Sequence, residues 1–102
     1  MYQYLLDPKA QTEYEESIEF YAERSEQATL KFIEIVEQTI EQLCKKPYGN
    51  RKKYKNYYEI NLEKYPFSII YIIEEEVKQI IIISIYHQSR NPKYKYKAKK
   101  KK

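Results

Sequence analysis

The sequence predicts an α+β domain: an N-terminal strand, a two-helix antiparallel hairpin packed on one sheet face, and a mainly antiparallel sheet, in the order β-αα-βββ. Three observations predict it. Two adjoining stretches in the first half carry apolar residues at three- and four-residue steps, which is the helical period. A change of pattern follows Pro47, after which runs of Ile, Val and Tyr take over. The breaks between these runs, Glu63-Lys64 and Glu74-Glu75-Glu76, are short enough for hairpins.

Tyr2-Gln3-Tyr4-Leu5-Leu6 reads as a short strand. Asp7-Pro8 then starts a helix, Asp as N-cap and Pro at the first helical position, where its missing N–H costs nothing. Ala10, Tyr14, Ile18, Tyr21 and Ala22 form the apolar stripe, while Glu13, Glu15, Glu16, Glu19 and Glu23 read as a solvated face. Ser25 caps a second helix with the stripe Ala28, Phe32, Ile33, Val36, Ile40 and Leu43. Lys45-Lys46 suit the negative end of its dipole and Pro47 ends it. Strands are expected at 57–62, 65–73 and 77–86, with Pro66 at a strand entry.

At 102 residues the chain has room for one domain, expected at 1–95, with 96–102 a flexible basic tail. Its single Gly excludes phosphate-cradling and dinucleotide-binding loops, which need several glycines. One Cys and one His exclude the usual zinc site and any internal disulfide. No cofactor or metal is expected. The apolar runs are too short to span a bilayer, which needs about 20 residues. The N-terminus has no export pattern, so a cytoplasmic protein without membrane association is expected.

Charge is unevenly placed. Residues 1–50 hold five basic against ten acidic side chains, net −5; residues 51–102 hold fourteen against five, net +9. The second half therefore favours an anionic partner, nucleic acid or an acidic peptide. Within it, Arg51, Lys52, Lys53, Tyr54 and Lys55 interleave cations with an aromatic ring, a pattern suited to phosphates and stacked bases. The same residues would also serve as a charged edge strand. His87, followed by Arg90, is the single side chain ordinarily titrating near neutrality, and with Arg90 forms the candidate acid for phosphodiester cleavage. A lone strand-end His also commonly caps its strand. Cys44, near a helix C-terminus, reads as packing.

Ile69–Ile73 and Ile80–Ile83 are apolar on both strand faces. Two helices cover one sheet face, so the other is expected to meet the tail, a second copy or a partner. Ile70, Ile72, Ile81 and Ile83 are the candidate contacts.

Four phrases carry a family resemblance: Asp7-Pro8-Lys9-Ala10, Phe32-Ile33-Glu34 through Pro47, Tyr65-Pro66-Phe67-Ser68-Ile69-Ile70-Tyr71, and Ile85-Tyr86-His87-Gln88-Ser89-Arg90-Asn91-Pro92. Together, over about residues 2–95, the chain resembles the RelE/ParE superfamily of type II toxin–antitoxin toxins. The resemblance implies the same fold and a cognate antitoxin that wraps the domain with a helix and an extended acidic segment. Activities within the superfamily divide. RelE-like members cut mRNA on the ribosome; ParE-like members poison DNA gyrase. The nuclease branch commonly places an Arg where this chain has Ser68, and the continuation through Arg90 and Pro92 follows the ParE manner. The expected function is a ParE-like toxin acting on a cellular target such as gyrase. The alternatives are a ribosome-dependent mRNA endonuclease using His87, Arg90 and the 51–55 cluster, and a non-toxic binding module that keeps the fold.

Overall fold

A computed structural model describes residues 1–89. The expected tail at 96–102 and Arg90 lie outside the described residues. The order is β1 (Gln3–Leu6), α1 (Pro8–Ala22), α2 (Glu26–Lys45), β2 (Arg51–Tyr54), β3 (Tyr57–Asn61), β4 (Phe67–Glu74) and β5 (Gln79–His87). The fold class is as the sequence predicts, with one strand more: the basic segment 51–54 forms β2, making four strands after the helices. The sheet runs β1-β5-β4-β3-β2, antiparallel except for β1, which lies parallel to β5.

The helix boundaries follow from local chemistry. Asp7 accepts the Lys9 amide at 3.0 Å and Pro8 opens α1. Ser25 caps α2 by accepting from Ala28 N–H, and Pro47 lies just past its end. The tight connection folds the helices back on each other over one sheet face. The core between helices and sheet is built from Phe32, Val36, Ile40 and Leu43 of α2 against Phe67, Ile69, Tyr71, Ile80, Ile82 and Ile85. Phe32 lies at its aromatic centre, with Tyr21, Tyr65 and Phe67 rings 5.0–5.4 Å away. The buried Tyr71 hydroxyl donates to Pro47 O at 2.8 Å and accepts from Asn50 Nδ2 at 3.1 Å, tying the start of β2 to the core.

The inward face of α1 differs from the expected stripe. Ala10, Glu13 and Ser17 are buried, whereas Ala22 is exposed. Glu13 is therefore not on the solvated face. The reason lies in the edge of β5. β1 accompanies β5 only through Ile82. Beyond that point Ile83 is an extra residue in β5, since Ile70 pairs with Ser84 and Tyr71 with Ile82. The Glu13 carboxylate takes over from β1: its Oε1 accepts from Ile85 N–H at 2.9 Å and from Ser84 Oγ at 2.7 Å. A buried amide left without such an acceptor is costly.

Replacing Glu13 by Ala is expected to destabilise the fold by about 1–3 kcal/mol. Glu19→Ala, on the exposed side of α1, should stay within about 0.5 kcal/mol of the parent. Denaturant titration of the two variants checks both values.

Candidate functional site

His87 ends β5, half-buried, with its ring edge-on to Phe67 at 4.9 Å between centroids. Its Nδ1 accepts the Ser89 amide at 3.1 Å and lies 2.7 Å from Ser89 Oγ. This is the local capping geometry of a strand end. Beside it is a hollow of about 290 Å³ lined by Glu16, Ser17, Phe20, Tyr21, Phe67 and Ser89. Ser68 is buried and donates to Asn61 Oδ1 at 2.6 Å.

The basic residues are elsewhere. Arg51, Lys52, Lys53 and Tyr54 are all exposed along β2, the outer edge of the sheet, and Lys55 lies in the turn to β3 with a left-handed backbone (φ 49°). β2 is three strands from β5, about 14 Å at the usual strand spacing. Arg51 pairs with Glu59, which pairs with Ile70, so the strand leads away from the His87 end. Lys52 lies 5.9 Å from the centroid of the Tyr58 ring, and Lys55 5.3 Å from that of Tyr54. Tyr54 and Tyr57 stack almost parallel, 6.1 Å apart. The structure thus joins the residues of the 51–55 cluster to one another and to the β3 tyrosines, and keeps them apart from His87.

The sheet face away from the helices carries the isoleucines. Ile70 (0%) and Ile83 (3%) are buried within the chain and offer no accessible contact. Ile72 and Ile81 are half-buried and pair directly across β4 and β5. Ile81 in turn pairs with Leu5, which is 51% exposed. Leu5, Ile81 and Ile72 therefore form an apolar row across three strands. Leu5 was not among the expected contacts; the alternation of β1, with Tyr2 and Leu6 against the core, was the signal for it.

At the opposite end of β5, a cluster ties three chain segments together. Glu75 Oε1 accepts from the Tyr2 and Tyr48 hydroxyls at 2.6 Å, and Oε2 pairs with Lys78. The Lys78 ammonium, followed by the two phenols, holds the Glu75 carboxyl down to about 2; the same bond pushes Tyr48 up to about 12.

Over residues 4–92 the sequence matches the family described as ParE toxin of type II toxin–antitoxin system, parDE. The chain belongs to the ParE toxin family. The fold agrees. A chain of the chromosomal ParDE system from P. aeruginosa superposes with TM-score 0.69 at 19% identity, covering 85% of this chain and 96% of that one. A chain of the intact E. coli RelBE toxin–antitoxin complex gives 0.63 at 15% identity, covering 88% and 100%. The isolated E. coli RelE toxin gives 0.62 at 15%, covering 93% of each. No curated protein sequence matches the chain. Among the described residues of this ParE-family chain, no helix is long and apolar enough to cross a membrane.

Glu75 gives an acid-limb prediction. Its folded pKa lies below its ordinary value, so its contribution is complete above about pH 4.5 and is lost as pH falls toward about 2. The melting-temperature difference between parent and Glu75→Gln should be constant from pH 5 to 8 and vanish near pH 2, as thermal melts across that range would show.

Proposed function

We propose that this chain is the toxin of a type II toxin–antitoxin pair, that it arrests growth by binding a protein target, and that its cognate antitoxin neutralises it. The family match supports the toxin role. The observation that carries binding over RNA cleavage is the separation of His87 from the basic edge. A nuclease needs its proton-transferring group and its phosphate-stabilising cations around one scissile bond. Among the described residues, which do not include Arg90, His87 is engaged by Ser89 at one end of the sheet, Ser68 stands buried where the nuclease branch carries a cation, and the Arg51–Lys55 cluster lies three strands away. DNA gyrase, the target implied by ParE-like resemblance, is the first target to test.

The antitoxin reading rests on complementarity. Leu5, Ile81 and Ile72 offer an apolar row, and Arg51 and its neighbours supply positive charge along the same sheet. An extended segment with apolar and acidic residues suits both. Such segments are the ones the resemblance expects of an antitoxin.

Two variants test the proposal. His87→Ala should leave growth arrest on induction within about threefold of the parent, since a binding toxin asks no proton transfer of it. Loss of arrest with the protein still folded and still held by its antitoxin would establish the endonuclease reading instead. Leu5→Glu combined with Ile72→Glu should weaken co-purification of the antitoxin by about tenfold or more, by placing carboxylates against an acidic partner. Absence of growth arrest from the parent chain itself would leave a non-toxic binding module.

A further inference from the structure

The two edges of the sheet are built differently. The β2 edge carries Arg51, Lys52 and Lys53 and a register shift between Lys52 and Tyr54, the usual means of preventing another strand from pairing. The β1 edge, Gln3-Tyr4-Leu5-Leu6, carries no charge and no bulge. In its parallel ladder the Gln3 and Asp7 amides point inward to Lys78 O and Ile82 O. The N–H and C=O groups of Tyr4 and Leu6 therefore face the open side. Tyr4 is 47% exposed.

Beside this edge runs a groove of about 520 Å³ between β1 and α2, floored by Tyr4, Ile40 and Cys44 and flanked by Glu37 and Glu41. The two carboxylates differ. Glu41 pairs with Lys45 at 3.8 Å, whereas Glu37 forms no ion pair among the described residues. Its negative field reaches Tyr14, whose hydroxyl is pushed up to about 12 by burial first and by Glu37 second.

We propose that β1 is a strand-addition site: an extended segment of a partner protein pairs with the Tyr4–Leu6 edge, sets alternate apolar side chains into the groove, and places a cation against Glu37. Main-chain pairing supplies affinity, and the groove with Glu37 supplies selectivity. The preference for a cation sets this edge apart from the basic β2 edge offered to the antitoxin, and Leu5 is the residue that the two surfaces share. A second copy is a poorer occupant, because pairing through its own β1 would bring its Glu37 and Glu41 beside these.

The probe is a blocked heptapeptide alternating Val and Lys, with an alternating Val and Glu peptide as control, titrated into the full chain and followed by amide NMR shifts. The Val–Lys peptide should shift β1 and the Glu37–Cys44 stretch of α2 and bind about tenfold more tightly than the control. Glu37→Lys should reverse that order. Tyr4→Pro, which removes an outward donor and no ladder bond, should abolish binding with the remaining spectrum retained. Equal binding of the two peptides, an unchanged order in Glu37→Lys, shifts confined to the β2 edge, or self-association through β1 would each overturn the proposal.

Discussion

The buried Glu13 carboxylate is the constraint on which the arrangement of helices and sheet depends. β1 is only four residues long, and β5 is nine. Where β1 stops, β5 has an open edge inside the protein, and an amide there needs an acceptor. Glu13 supplies it from the middle of α1 while also accepting from Ser84. The bond fixes both the rotation of α1 and its height along β5. With α1 set, the short turn at Ser25 sets α2, and α2 closes the core through Phe32, Val36, Ile40 and Leu43.

From that frame the surfaces follow. The helices take one face of the sheet and leave the Leu5, Ile81 and Ile72 row on the other. The sheet order puts the basic β2 strand at one edge and the neutral β1 strand at the other. Among the described residues, His87 at the end of β5 is held by Ser89 and Phe67. A ParE-family chain built this way presents chemically distinct surfaces, and among the described residues the basic Arg51–Lys55 edge stands three strands from His87.

Much of the fold was legible because its punctuation is local. Asp7-Pro8, Ser25 and Pro47 act through their own backbones and mark helix ends wherever they occur. Glu13 was not legible: among Glu15, Glu16 and Glu19 it has the pattern of a solvent face, and its role depends on an edge created 72 residues later. The segment 51–54 was half legible: its sequence left a phosphate-gripping cluster and a charged edge strand both open, and the structure makes it the edge strand β2. Of the four isoleucines expected at a partner surface, Ile72 and Ile81 are half-buried, while Ile70 and Ile83 are buried. Apolar composition states that both faces want cover; it does not state which positions the folded chain already covers.

On the proposed function, toxicity comes from occupying a protein target. Induced expression of the parent chain, followed in the same cells by plasmid topology and by mRNA integrity, tests it most directly. Arrested growth with altered supercoiling and full-length messages is expected. Arrest with cleaved messages and normal supercoiling would contradict it.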